Sequence, residues 1–126
     1  MARLPTAQEN TGLDALFVTS TVYYLALNTT DPGTTGTGEV TGGSYARQAI
    51  TFGAAASGSK VSAGADAAQS FTGMPAEAGG CPYFGIWTLI SSGTYLGGGT
   101  TSGLSGAISV GATIDFSSGS VSWALS

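Results

Sequence analysis

The chain contains no histidine, a single cysteine and only three basic residues among its 126 positions. A serine or cysteine hydrolase of the usual kind needs a histidine base beside its nucleophile, and this sequence has none to offer. One cysteine cannot supply the clustered ligands of a zinc site, and it cannot form a disulfide within the chain. The sequence therefore predicts a protein that is not an enzyme, has no catalytic residues and needs no cofactor.

Charge is also scarce. Charged residues make up 8% of the chain, which carries a net charge of −4, whereas ordinary soluble domains are about 25% charged. Nucleic acids and anionic membranes both require a basic surface, and no run of about 18 apolar residues is long enough to span a bilayer. The N-terminal residues lack the apolar core of a signal peptide. We predict no nucleic acid or membrane partner.

What the chain does contain is glycine, at 21 positions, together with small polar residues. Large side chains are few, and each one that is buried contributes about 1.5–3 kcal/mol, while each ordered glycine costs more backbone entropy than any other residue. We expect neighbouring subunits to complete the core or to cover strand edges. The alternative is an ordinary small β-domain with a compact core, in which Tyr83, Trp87 and Trp123 are core residues and not an exposed glycan-binding patch.

The N-terminal region has the pattern of a short helix. Thr6 and Glu9 have the spacing of a capping box, and Leu13, Leu16 and Phe17 follow at helical intervals. We predict a helix over residues 7–17 within a docking segment, residues 1–20, of a single 1–126 domain. The narrow apolar face makes Leu13, Leu16 and Phe17 candidate interface residues.

The rest of the chain reads as short strands separated by glycine-rich turns. This pattern favours an all-β fold, an antiparallel β-sandwich that is jelly-roll-like, with the short N-terminal helix attached. Residues 83–90 are apolar without clean alternation and predict a central strand. Residues 28–43 and 97–106 are expected to be loops. The remaining strands are predicted at residues 21–27, 44–52, 60–62, 65–71, 94–96, 107–110, 113–116 and 120–125.

Two residues of the alternating segment 44–52 stand out as candidate interface residues. Tyr45 and Arg47 share one strand face, so Arg47 is placed to stack on an aromatic ring or to pair with a carboxylate. The alternative is an exposed arginine at a sheet edge. A calcium site built from Asp31, Glu39 and loop carbonyls is conceivable, but no known loop spacing supports it. The scattered carboxylates read as solvated loop charges and not as a glycosidase pair.

Six segments carry a family resemblance: the short N-terminal helix that ends in Leu16-Phe17, and residues 24–27, 29–33, 37–53, 83–87 and 111–116. Together they resemble a family of small virion proteins of tailed bacteriophages that are commonly labelled tail-fibre-like. Glu39 to Phe52 is the most specific segment, and the likeness runs through most of the chain except the Ala- and Gly-rich residues 54–80. The resemblance implies a non-enzymatic β-sandwich that is located in the virion.

Two placements on the virion compete. A fibre normally needs repeats or coiled-coil heptads, and the chain has neither, so we expect a capsid decoration or cement protein that stabilises the head. The alternative is a tail-fibre or receptor-binding module at the tail. The expected partners are the major capsid protein or tail proteins, and further copies of the chain in a homo-oligomer, for which a trimer is a common state. A secreted hydrolase or lectin is a third class.

Overall fold

The structure is a computed structural model that describes residues 5–18, 21–55, 58–61, 69–116 and 121–124. Three pairs of neighbouring strands, Tyr23–Asn28 with Tyr83–Trp87, Tyr83–Trp87 with Tyr95–Thr100, and Ser59–Val61 with Ser122–Ala124, are antiparallel. These sheets and the single short helix of the described residues confirm the predicted all-β class and are compatible with a sandwich. The elements are α1 (Thr6–Leu16), β1 (Tyr23–Asn28), β2 (Gln48–Ile50), β3 (Ser59–Val61), β4 (Gln69–Phe71), β5 (Tyr83–Trp87), β6 (Tyr95–Thr100), β7 (Ile114–Phe116) and β8 (Ser122–Ala124).

The chain divides into two compact units. The helical unit comprises Met1–Val22, Ile50–Gln69 and Phe116–Ser126, and the sheet unit comprises Tyr23–Ala49 and Ser70–Asp115. The single domain and the N-terminal docking segment stay predictions.

The central strands of the sheet unit are β1 and β5, within a four-stranded sheet of order β2-β1-β5-β6. Leu25 and Leu27 of β1 and Ile86 of β5 are fully buried. Central strands carry apolar runs without clean alternation, which confirms the predicted central strand for residues 83–87. The strand ends at Trp87, so the predicted extension over residues 88–90 is wrong, and those residues belong to the loop before β6. The register places Ala26 beside Gly85 and Tyr24 beside Trp87.

Strand β6 corrects one sequence prediction, because residues 97–100 are a strand and not part of a loop. The register along β5 shifts between Ile86 and Trp87, so that Leu96 is an extra, bulged residue of β6. A side chain at Gly98 would collide with the carbonyl oxygen of Phe84. These glycines therefore serve close strand pairing, whereas a run of glycine in a sequence ordinarily signals a loop.

Helix α1 organises the core of the helical unit. Leu13 and Phe17 are buried, and the Phe17 and Phe52 rings lie 5.3 Å apart between centroids. The predicted capping box is wrong: Pro5 is the N-cap and no side chain caps the helix, while the Pro5 carbonyl accepts the N–H groups of Gln8 and Glu9. No helix of the described segments is long and apolar enough to cross a membrane.

Candidate functional site: a buried arginine that holds a surface loop

The most elaborate polar arrangement of the sheet unit centres on Arg47, which lies just before β2. Its Nε donates to Oε2 of Glu39 over 2.9 Å, and its Nη2 donates to Oε1 over 2.7 Å. This is the two-pronged geometry of a strong arginine–carboxylate pair. The Arg47 side chain is 7% exposed and that of Glu39 is 20% exposed, so the pair is largely shielded from bulk water, and removing Glu39 would leave a buried, unpaired charge on Arg47.

Tyr45 completes the coordination of the Glu39 carboxylate. Its hydroxyl donates to Oε2 of Glu39 over 2.9 Å and accepts the backbone N–H of Leu27 over 3.1 Å. Burial, reinforced by the negative charge of Glu39, raises the pKa of Tyr45 far above its usual range. The hydroxyl therefore stays protonated and acts as a fixed hydrogen-bond donor. The Tyr45 ring also stacks on Phe71, with centroids 5.8 Å apart.

The remaining donor group of Arg47 reaches the loop between β5 and β6. Its Nη1 donates to the carbonyl oxygens of Leu89 and Ser92, over 2.9 and 2.7 Å. Ser92 has a φ of +54°, a conformation that residues other than glycine rarely adopt and that needs support from its surroundings. The side chains of Leu89 and Ile90 are 53% and 57% exposed. A buried charge thus fixes the backbone of a loop that presents two apolar side chains to solvent.

Trp87 covers the other side of the guanidinium group. The Arg47 Cζ atom lies 4.0 Å from the centroid of the Trp87 ring, within the range of a cation–π interaction. The ring of Tyr95 packs 5.3 Å from Trp87, and a side chain at Gly36 would approach the Tyr95 ring to 2.9 Å. Gly36 has a φ of +77°, so both backbone conformation and space require glycine there. The loop 29–38 is therefore packed onto these rings.

Asn28 anchors the same loop from the end of β1. Its Nδ2 donates to the carbonyl oxygen of Thr37 over 2.8 Å, and an isolated bridge pairs Asn28 with Glu39. The long segment that the sequence predicted as a loop is thus tied to the sheet at Asn28, Gly36 and Glu39. These contacts of the loop position the Glu39 carboxylate next to Arg47.

The structure places the five sequence-predicted interface residues differently. Arg47 is buried and Tyr45 half-buried, both in contacts within their own chain, so the alternative of an exposed edge arginine is wrong. Leu13 and Phe17 are buried in the helical unit, whereas Leu16 is exposed. An interface role for these residues stays a prediction. Arg47 does make both contacts expected from its chemistry, a ring and a carboxylate.

Sequence reasoning missed the partners of Arg47. Glu39 lies eight positions away across an irregular segment, and the Leu89 and Ser92 carbonyls carry no side-chain signal. One available signal was scarcity, because a chain with three basic residues rarely places one without a specific partner. Of the three aromatic residues predicted for the core, Tyr83 and Trp87 are half-buried, and the side chain of Trp123 lies outside the part of the chain that the structure describes.

The hydrogen bonds of this arrangement are those of a structural polar network. Both carboxylate oxygens of Glu39 accept hydrogen bonds from Arg47 or Tyr45, and Asp31 accepts the backbone N–H of Gly33 over 2.9 Å. In the described segments no three His, Cys, Asp or Glu side chains come together in a way that could hold a metal ion. Burial raises the pKa of the Cys81 thiol to about 11, so this cysteine is a poor nucleophile at neutral pH.

Comparison with known protein families identifies a family that matches this chain. A family model described as "Podophage GP4 fiber I protein gp80" matches residues 5–124. The chain belongs to this family. It is therefore a component of a phage virion, which confirms the resemblance and the location that the sequence indicated. A search of curated proteins found no match.

Proposed function

We propose that this protein is a non-enzymatic structural component of a tailed-phage fibre, attached at the tail and assembled with copies of itself and with tail proteins. The match of residues 5–124 to a family described as a fibre protein is the observation that carries the proposal. It favours the tail over the head, although the lack of repeats and heptads had favoured head decoration.

The geometry of the sheet unit supports a structural role. The side chains of Arg47, Glu39 and Tyr45 form hydrogen bonds with one another and with backbone groups. In this arrangement they are not placed to activate a nucleophile or a water molecule. What the arrangement delivers to the surface is a loop of defined shape. A rigid, uncharged surface element is useful to a subunit of an assembly, because pre-ordered contacts lose little entropy on binding.

Capsid decoration remains the second candidate function, with the major capsid protein as the partner. One observation favours it: the chain is small and lacks the repeats or heptads with which long fibres extend. A decoration protein would occur in many copies, each adding a modest interface to the head shell.

Location and copy number in purified virions test the proposal. Quantitative mass spectrometry against the major capsid protein, with immunogold labelling, is expected to find few copies at the tail. Deletion of the gene is expected to abolish adsorption to the host and to leave the heat resistance of the head unchanged. Complementation with the wild-type gene is the control. Many copies on the head, with heads that open on mild heating after deletion, would replace the fibre role with decoration.

A further inference from the structure

Charge is distributed very unevenly along the chain. After Glu77 no charged residue occurs until Asp115, although the whole chain carries a net charge of −4. The charge-free stretch includes β5, β6 and the loop between them, which together form the hairpin of residues 83–100. Copies of a protein with a net negative charge repel each other where their acidic residues lie, and the residues of this hairpin add nothing to that repulsion.

The hairpin also places an unprotected strand at the end of the sheet. In the part of the chain that the structure describes, β6 pairs with β5 on one side and with no strand on the other. Monomeric β-proteins commonly protect such edges with lysine or proline. Strand β6 has neither. Its bulge at Leu96 lies at one end and leaves residues 97–100 in regular register with β5, and Gly97, Gly98 and Gly99 leave the faces of that part nearly bare of side chains.

Exposed apolar side chains lie in the same hairpin. Leu89 and Ile90 project from the loop that Arg47 fixes, and the bulged residue Leu96 is 37% exposed. The two hydrogen bonds from Arg47 set the loop backbone before any partner arrives. Apolar groups on a pre-ordered loop have the properties of interface hot spots, since their burial is not offset by the cost of ordering the loop.

We propose that two copies of the chain associate through this hairpin, with β6 of one copy paired antiparallel to β6 of the other and Leu89, Ile90 and Leu96 packed in the contact. A second copy is the fitting occupant because the surface is uncharged in an otherwise acidic protein and because an edge strand can pair with its own equivalent about a two-fold axis. The inference deepens the proposed self-assembly and rests on that part of the proposed function.

The dimer contact is tested on purified protein, whereas the location at the tail is tested on virions. A failure of the dimer contact can therefore be distinguished from a failure of the proposed tail location. Sedimentation velocity is expected to give a dimer for the wild type. Ile90→Lys and Leu96→Lys each bring a charge into the contact and are expected to weaken association by about tenfold or more. Val110→Lys is the matched control, since Val110 is 79% exposed and lies in the same charge-free stretch outside the hairpin; it is expected to dimerise like the wild type.

Hydrogen exchange locates the contact. The β6 amides are expected to exchange slowly in the wild type and in Val110→Lys, and quickly in Ile90→Lys at the same concentration, with circular dichroism confirming that each variant is folded. A monomeric wild type, hairpin variants that associate as tightly as the control, or a trimer with fast-exchanging β6 amides would overturn the proposal. A monomer that needs Ile90 for incorporation into virions would assign the hairpin to another virion protein, and would overturn the second-copy contact.

Discussion

The helical unit buries Glu9 and the sheet unit holds the half-buried Glu39, and the two carboxylates differ in their hydrogen-bond partners. Glu39 of the sheet unit receives hydrogen bonds from Arg47 Nε, Arg47 Nη2 and the Tyr45 hydroxyl. Glu9 of the helical unit is 5% exposed, and its Oε1 has no hydrogen-bond partner among the described residues. A buried charge stabilises a fold only when its partners replace the lost water. We therefore expect Glu39 to stabilise its surroundings more than Glu9, whose Oε1 lacks a partner, stabilises its own.

The two units also differ in the contacts that hold each of them together. The sheet unit joins distant segments through hydrogen bonds from one arginine, which reach from Glu39 to Ser92. Most of the buried side chains that the structure describes in the helical unit are apolar, Leu13, Phe17 and Phe52 among them, although Glu9 is buried as well. Polar networks are directional and specify one arrangement, while apolar contacts tolerate small shifts. We therefore expect the sheet unit to be the more sensitive to single polar substitutions.

The largest effect is expected from Arg47→Met. The substitution keeps much of the side-chain volume but leaves the half-buried Glu39 without its counter-charge, which is expected to lower the free energy of unfolding by about 3 kcal/mol, the low end of the range for a buried pair. Chemical denaturation followed by circular dichroism measures it. Arg47→Lys is the matched control and is expected to recover only part of the loss, because a lysine cannot reproduce the two-pronged pair and both loop contacts. Full stability in Arg47→Met would show that the sheet unit does not depend on this pair.

A smaller loss is expected from Tyr45→Phe. The variant keeps the ring stacked on Phe71 but removes the donor to Glu39 and the acceptor for the Leu27 N–H, at a cost of about 1–2 kcal/mol. Tyr24→Phe on β1 is a control, because Tyr24 is a half-buried tyrosine outside this network. Equal stabilities of the two variants would mean that the Tyr45 hydroxyl does not contribute.

Glu9→Gln tests the comparison most directly, through the sign of its effect. Neutralising a buried carboxylate that lacks a partner is expected to leave stability unchanged or to raise it by up to about 1 kcal/mol. The equivalent change at the paired site, Glu39→Gln, is expected to destabilise. Both are measured by denaturant titration at pH 7. Destabilisation of both variants by the same amount would remove the proposed difference between the two units.

The smallest effect, absent at neutral pH, concerns Cys81 in the sheet unit. Its pKa is raised from 9.0 to about 11, first by burial and then by the charge of Glu77. A raised pKa means that the folded state holds the proton more tightly, so this stabilisation is complete below pH 9 and is lost as the pH rises toward 11. Cys81→Ala is expected to show a weaker fall in stability than the wild type over that range. Fast alkylation of Cys81 in the folded protein at pH 8 would contradict its burial.

Local patterns were sufficient to predict the helix, the central strand β5 and the C-terminal strands β7 and β8. They failed where glycine was the signal, because the glycines of β6 serve close approach to Phe84 and not a loop. They also failed at Thr6, where Pro5 precedes the first helical residue and takes the N-cap position. Within residues 107–110 the predicted strand is reduced to an isolated bridge between Ile108 and Glu77.

The sequence by itself determined the antiparallel all-β class, the scarcity of catalytic chemistry and the resemblance to a phage virion family, because composition, periodicity and local motifs are written along the chain. Only the tertiary structure decided that Arg47 is buried, that Glu39 is its partner and that the Leu89 and Ser92 carbonyls complete its hydrogen bonds. Those contacts join residues up to 45 positions apart. Their geometry depends on loop paths and on the bulged pairing of β5 with β6, which no local pattern specifies.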